Sequence, residues 1–143
     1  MTNDKAERFE AYGGRKMLEI ISKDFYDHIY EDPWLKQFFK HVPQEHIEKQ
    51  QVDFMQAALG GVNCYAGKTP PHGHKHINIT KEVYEYREKL LMHSFKACNA
   101  SQALIDRWLE IDNAFYDRVV KEDISECEAR NSVEGILDFP PPK

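Results

Sequence analysis

The amino-acid sequence predicts an all-α domain, on three observations. Apolar residues recur at three- and four-residue steps through several long segments, which is the period of an amphipathic helix. The alternation of apolar and polar residues that indicates a strand never extends beyond a few positions. Glycine and proline residues stand between the helical segments, where they end helices or form turns. With 143 residues and 41% apolar content, the chain can form one packed core, and one domain is expected.

Composition excludes several classes of function. Lys and Arg number 19 against 24 Asp and Glu, and the formal charge of -5 gives no basic surface for nucleic acid or for an anionic membrane. No segment has the pattern of a signal peptide or a membrane span, so the protein is expected in the cytoplasm. The cysteines Cys64, Cys98 and Cys127 are odd in number and lack CxxC spacing, which favours reduced thiols.

The first half of the chain contains three predicted helices and a short helical segment. Residues 4–12 form a helix that stops at the pair Gly13-Gly14, because glycine adopts positive φ without steric cost. The second helix covers RKMLEIISKDFYDHIY and ends before Pro33. WLKQFFKH is the short segment, and Pro43 occupies the first turn of the third helix, which runs to Leu59. Its predicted buried stripe is Ile47, Gln51, Phe54, Met55 and Ala58.

The second half begins with a segment that loses helical character, from Gly61 to Gly73, and continues with two longer helices. Thr80 and Ser101 are the predicted N-caps of these helices. The predicted buried positions are Val83, Tyr86, Leu90, Leu91, Ser94 and Phe95 in the first helix and Leu104, Ile105, Trp108, Ile111, Phe115 and Val119 in the second. The core is expected to end near Val120. The domain is therefore residues 1–120, and residues 121–143 are a charged, proline-ended extension, either a marginal helix with an extended tail or disordered.

Two polar residues interrupt the apolar pattern. Gln51 lies within the stripe of the third helix, and Tyr26 follows Phe25 in the second helix with its phenol expected to point inward. A buried polar group without a partner costs about 1 to 3 kcal/mol, so each requires a hydrogen bond. Taken singly, each is best explained as a core residue bonded to a carbonyl or a water. Together they favour a pocket that holds a small polar or diatomic ligand.

Three histidines at alternate positions form the other unusual feature. His72, His74 and His76 follow two prolines in KTPPHGHKHINIT. The segment has three interpretations. It is a solvated loop, a zinc cluster, or a single axial metal ligand with two histidines that do not bind the metal. Zinc is the poorer metal interpretation, because no cysteine has structural-zinc spacing to this loop and no HExxH helix is present.

The chain resembles the truncated haemoglobins, the two-over-two helical globins, and most closely their first group. The likeness rests on Gly13-Gly14, the Phe25-Tyr26 and Phe38-Phe39 pairs, KQQVDFMQAALGG at 49–61, YAG at 65–67 and HKHINI at 74–79. It covers about residues 10–120, so residues 1–120 would be the truncated globin domain. The resemblance implies a two-over-two helical sandwich with a short N-terminal helix, a loop-like proximal segment and a C-terminal extension.

The resemblance also implies a haem b (iron protoporphyrin IX) site. His74 fits the proximal iron ligand through Ile77 and Ile79. Tyr26 and Gln51 would be the distal residues that contact the ligand. The other residues of the implied cofactor site are Phe39 on the porphyrin face, Ile47 at the distal gate, Gln50, Phe54, Tyr65, Lys68 and His76. At position 50 the family often has a basic residue or a histidine, so Lys49, Lys68 or Lys75 would have to meet the haem propionates.

Such a protein would bind O2, NO and CO at a five-coordinate iron. The activity expected from the resemblance is the oxidation of NO to nitrate with a separate reductase, and a peroxidase-like activity is the other enzymatic reading. Two alternatives stay open at this point. One is a haem-based gas or redox sensor that acts through the C-terminal tail, and the other is a haem-free helical protein whose histidine loop binds zinc. The oligomeric state is not predicted.

Overall fold

A computed structural model describes residues 4–65, 77–121, 125, 127 and 137–139. Within these residues the chain is helical and has no strand, so the predicted all-α class is confirmed. The helices are α1 (Asp4–Ala11), α2 (Gly14–Glu31), a 3-10 helix (Leu35–Phe39), α3 (Gln44–Ala58), α4 (Lys81–Ala97), α5 (Gln102–Ala114) and α6 (Tyr116–Val119). None of the helices in the described part is long and apolar enough to cross a bilayer.

Helix α2 lies at the centre of the packing and contacts α3, α4 and the 3-10 helix. Its buried apolar residues are Leu18, Ile21, Phe25 and Ile29, at the three- and four-residue steps that the sequence predicts. Helices α4 and α5 meet through Phe95 and Trp108, whose ring centroids are 5.3 Å apart in an edge-to-face contact. The core is therefore built from α2 with α3 on one side and the α4–α5 pair on another.

The predicted N-caps and the Gly13 turn agree with the structure, whereas the last predicted helix is divided at Phe115 into α5 and α6. The side chains of Thr80 and Ser101 accept hydrogen bonds from the backbone N–H groups of Val83 and Leu104 at 3.1 and 3.2 Å, as N-caps do. Gly13 has φ 107°, and a Cβ atom there would lie 2.6 Å from the Cβ of Met17, so only glycine fits this turn. Pro43 precedes the first residue of α3 and is its N-cap, one position earlier than predicted.

The buried face of α3 differs from the predicted stripe. The buried residues are Val52, Asp53, Met55 and Gln56, so of the predicted set only Met55 is buried. The others, Ile47, Gln51, Phe54 and Ala58, are half-buried on a neighbouring side of the helix. The prediction was wrong because it gave buried positions to apolar residues, whereas Asp53 and Gln56 have hydrogen-bond partners that allow their burial.

A charged network explains the burial of Asp53. Its carboxylate accepts hydrogen bonds from Arg15 Nη1 at 2.9 Å and from Lys49 Nζ at 2.5 Å. The Lys49 ammonium and the Arg15 guanidinium lower the pKa of Asp53. Gln56 accepts from Arg15 at 3.1 Å and donates to the carbonyl of Val62 at 2.8 Å. This network joins α2 to α3, and it engages the ammonium of Lys49, one of the residues considered for the haem propionates.

The core does not end near Val120, because part of the C-terminal extension packs into it. Leu137 is a core residue, and the carbonyl of Leu137 accepts a hydrogen bond from the backbone N–H of Asn78 at 2.8 Å. The carbonyl of Phe139 accepts from the indole N–H of Trp34 at 2.7 Å, and its ring meets that of Phe38 edge to face at 5.1 Å. The expected free tail is therefore wrong for residues 137–139, whose apolar side chains find a site that only the folded domain provides.

Replacing Asp53 with Ala is expected to lower the free energy of unfolding by about 1 to 3 kcal/mol, because two charge-assisted hydrogen bonds are lost. The folded-state pKa of Asp53 is lowered, so this contribution is present above the unfolded pKa of about 4 and disappears as the pH falls through the folded-state value. Urea unfolding of both proteins across this pH range measures the difference. Glu19→Ala removes an exposed partner of the same arginine and should change stability by less than about 0.5 kcal/mol. Equal effects of the two variants would contradict the assignment.

Candidate functional site

Tyr26 lies on α2 with 5% of its surface exposed. Its ring contacts Phe25 at 5.0 Å and Phe39 at 6.0 Å between centroids, both edge to face. No described residue hydrogen-bonds to its hydroxyl, and this oxygen is not among the fully enclosed polar atoms that lack a partner. A buried phenol that still reaches open space is placed to donate to a bound molecule.

The 3-10 helix holds Phe39 beside Tyr26. Asp32 caps this segment, because its carboxylate accepts from the backbone N–H groups of Trp34 and Leu35, both at 2.9 Å, and from the hydroxyl of Tyr86. The half-buried ring of Phe39 also contacts Tyr30 at 5.6 Å. The Asp32 cap therefore fixes the position of an aromatic surface that the sequence assigned to the porphyrin face.

A half-buried apolar surface runs along α3. Ile47, Gln51, Phe54 and Ala58 share one side of the helix at the spacing i, i+4, i+7 and i+11. The ring of Phe54 contacts Tyr65 at 5.4 Å and Phe115 at 5.9 Å. The amide of Gln51 makes no hydrogen bond with any described residue. This side of α3 offers apolar contact area together with one unpaired polar group.

A charged cluster that the sequence did not predict lies on α4 and α5, beside Phe25 of α2. Arg87 of α4 donates from Nη1 to Glu88 at 2.6 Å and to Asp112 of α5 at 3.1 Å. Its guanidinium carbon lies 5.1 Å from the ring centroid of Phe25. The three charged side chains are only 13 to 26% exposed. The helical period predicted a buried Tyr86 and made no prediction for Arg87 or Glu88. Only the packing of α4 on α5 shows this cluster.

The cluster and the tyrosine influence each other electrostatically. Burial raises the pKa of Tyr26 to about 12, while Arg87 lowers it and Asp112 raises it. Burial opposes the charged form of Arg87, but Asp112 and Glu88 outweigh this and raise its pKa. Burial also raises the pKa of the Glu88 carboxyl. At neutral pH, Tyr26 is therefore a phenol with a proton to donate, next to a permanent cation.

Several predicted site residues lie outside the described part of the chain. These are His72, His74, His76, Lys68 and Lys75. Among the described ones, the structure brings Tyr26 next to Phe39 and Phe54 next to Tyr65, while no hydrogen bond joins Tyr26 to Gln51. Gln50 is half-buried on α3. The assigned roles of all these residues stay predictions.

Residues 77–79, a few positions after the predicted proximal histidine, are bonded to residues at and beyond the end of α6. Ile77 pairs with Leu137 and Ile79 with Val120 in isolated parallel bridges. The side-chain amide of Asn78 donates to Asp138 at 3.0 Å. Contacts with residues 120, 137 and 138 therefore hold residues 77–79 just before α4 begins.

Comparison with known proteins identifies the family. The model of the bacterial-like globins matches residues 7–113. The group 1 truncated haemoglobin of Tetrahymena pyriformis is 31% identical over 98 residues, which are 68% of this chain and 81% of that protein. The corresponding protein of Tetrahymena thermophila is 32% identical over 97 residues, 68% of this chain and 80% of that protein. The chain therefore belongs to the bacterial-like globins, as a truncated haemoglobin of the group 1 type.

Solved structures agree in fold. The crystal structure of truncated haemoglobin from Tetrahymena pyriformis in the Fe(III) form aligns with a TM-score of 0.72 at 26% identity, covering 80% of this chain and 97% of that one. Structures of that relative also exist for variants at a tyrosine and at two glutamines. The predicted two-over-two globin fold is thus confirmed. As a globin, the protein binds haem and diatomic gas ligands such as O2.

The described residues fit a haem group. A flat apolar molecule needs apolar surfaces that the protein alone leaves half-covered, and Phe39, Ile47 and Phe54 are such surfaces on the 3-10 helix and on α3. A ligand on that molecule needs a polar partner, and the phenol of Tyr26 has no other described partner.

Proposed function

We propose that this globin binds O2 at a haem b iron held by His74 and uses Tyr26 as the main hydrogen-bond donor to the ligand. The observation that carries the proposal is the buried Tyr26 hydroxyl, which reaches open space without a described partner. When bound, haem would supply an iron atom that binds O2, NO or CO. His74 would hold this iron through an imidazole nitrogen, as the family resemblance implies.

The polar and the apolar side chains of the distal pocket have different roles. Tyr26 keeps its proton at neutral pH, since burial raises its pKa further above the ordinary value of a phenol, and it would donate that proton to the ligand in a hydrogen bond. Gln51 supplies a second N–H donor from the half-buried side of α3. Phe39, Ile47 and Phe54 would hold the haem by apolar contact and exclude water from it. A dry pocket strengthens both hydrogen bonds, because little water competes for the donors.

Arg87 adds a charged group to this pocket. Both of its acidic partners bind the same Nη1 atom, so its Nε and Nη2 donors have no partner among the described residues. These donors lie on a guanidinium beside Phe25, the neighbour of Tyr26 in α2. Glu88 and Asp112 offset the charge of Arg87, so it would act through these N–H donors and favour ligands that accept strong hydrogen bonds, such as anions.

The reaction we propose is the oxidation of NO to nitrate. NO and O2 combine with one electron to give nitrate, so each cycle needs an electron from a separate reductase. The donors of Tyr26 and Gln51 retain O2 until the second small molecule arrives. A sensor that acts through its C-terminal tail is the weaker hypothesis, because Leu137 and Phe139 are packed against the domain.

His74→Ala is expected to deplete the bound haem, because the axial nitrogen is lost, and added imidazole should restore it. The ratio of Soret to protein absorbance after haem-supplemented expression measures the haem content. His72→Ala is the matched control in the same loop and should keep its haem. Full haem content in the His74 variant would exclude this residue as the ligand.

Tyr26→Phe is expected to speed O2 dissociation by about tenfold, since one hydrogen bond in a dry pocket contributes on the order of 1 to 2 kcal/mol. Stopped-flow displacement of O2 by CO measures the rate. Tyr30→Phe is the control, because its hydroxyl donates to the carbonyl of Val42 at 2.7 Å and is not available to a ligand. The proposal fails if the two variants release O2 at the same rate.

Arg87→Met is expected to weaken fluoride binding to the ferric protein by about fivefold or more, because a charged donor is lost. CO affinity of the ferrous protein should change little, since CO is neutral. Spectral titrations measure both. Arg107→Met, which removes an arginine paired with Glu110 on the surface of α5, should alter neither. An equal loss of fluoride and CO affinity would indicate that Arg87 acts only on the fold.

A further inference from the structure

We infer that Asp24, His28 and His93 form a second metal site, for a divalent transition metal of the zinc or copper type, on the α2–α4 helix pair. This site does not depend on haem. It was not expected from the sequence, because the first two residues are on α2 and the third is on α4, far along the chain. Two imidazoles and one carboxylate are a ligand set that these metals accept.

The helix geometry brings the three ligands together. Asp24 and His28 are four residues apart on α2 and therefore lie on the same side of the helix. His93 reaches them from α4, and its ring centroid is 5.3 Å from that of His28. One ligand atom from each residue lies within 4.8 Å of the other two. Bonds of about 2.0 to 2.2 Å to a tetrahedral zinc require a closer approach, which side-chain rotation on fixed helices can supply.

Neighbouring hydrogen bonds orient two of the ligands as metal sites require. The hydroxyl of Ser94, which is fully buried, donates to Asp24 Oδ1 at 2.7 Å. The Nδ1 atom of His28 lies 2.7 Å from the backbone carbonyl oxygen of Asp24. A carbonyl can only accept, so in the metal-free protein Nδ1, which also lies 3.5 Å from Asp24 Oδ1, carries the hydrogen and Nε2 has the free lone pair. Such hydrogen bonds to ligand side chains typically fix the tautomer and raise metal affinity.

The exposure of the site suits an exchangeable ion. The side chains of Asp24 and His28 are 29% and 43% exposed, so a hydrated ion can enter and water can complete the coordination. Lys23, the residue before Asp24, pairs with Asp27 at 3.0 Å and therefore does not compete with a metal ion for Asp24. Burial raises the pKa of the Cys98 thiol, and the nearby carboxylate of Asp24 raises it further.

A metal at this site would join α2 to α4 by coordination bonds. Because it binds only the folded protein, it would stabilise the fold in proportion to the logarithm of its concentration above the Kd. Asp24 and His28 also flank Tyr26 along α2. The metal would therefore restrain the turn of the helix that carries the proposed distal donor.

Calorimetric titration of the haem-loaded protein with Zn2+ tests the site. We expect one Zn2+ to bind with micromolar affinity and to raise the melting temperature. His28→Gln and His93→Gln should each weaken this binding at least tenfold, and Ser94→Ala should weaken it less. Without metal, the two histidine variants should melt near the temperature of the parent, because His93 is exposed and the side chain of His28 is 43% exposed.

Two control variants separate this site from other histidines. His72→Gln tests the histidine loop, and His46→Gln tests an exposed histidine on α3. Both should bind Zn2+ like the parent. The inference is overturned if no Zn2+ binds below millimolar concentration, or if His28→Gln and His93→Gln bind it normally. Loss of binding in His72→Gln alone would place the zinc in the loop instead. The haem content of each variant is read separately, so failure here is distinct from failure of the haem proposal.

Discussion

The packing of α2 against both α3 and α4 is the constraint on which the rest of the structure depends. The salt bridge from Arg15 to the buried carboxylate of Asp53 holds α2 to α3 near one end. Farther along α2, Phe25 and Tyr26 turn towards the interior, where Arg87 and the 3-10 helix meet them. A change in the angle between these helices would move the phenol and the half-buried side of α3 together. The candidate pocket therefore depends on how α2 packs against α3 and α4.

Charged groups inside this small domain are costly, because burial removes their hydration. The Arg87, Glu88 and Asp112 cluster meets that cost by mutual hydrogen bonds across α4 and α5. An apolar set of side chains of similar volume would often be as stable or more stable. The position of the cluster beside Tyr26 therefore points to a role in the pocket and not in stability alone. The bridges between 77–79 and 120 or 137 add a second constraint, since they hold the chain that follows the predicted proximal ligand.

Much of this structure could be predicted from the sequence, because the relevant signals are local. The helical period of α2, the turn at Gly13 and the caps Thr80 and Ser101 depend on residues within one or two turns, and they agree with the structure. The globin resemblance assigned Tyr26 to the interior, and it is buried. The inward turn of α3 could not be predicted in the same way, since Asp53 is buried only because Arg15 reaches it from 38 residues away along the chain.

The sequence by itself determined the helical class, the helix limits and the family, because periodicity, caps and motif spacing are carried by neighbouring residues. Only the tertiary structure decided which side of α3 is buried, that Leu137 enters the core, and that Arg87 and Asp112 stand beside Tyr26. It also brought His93 to Asp24 and His28. Each of these contacts joins residues far apart in the chain, and a hydrogen bond or an apolar contact between such residues forms only after the helices have packed.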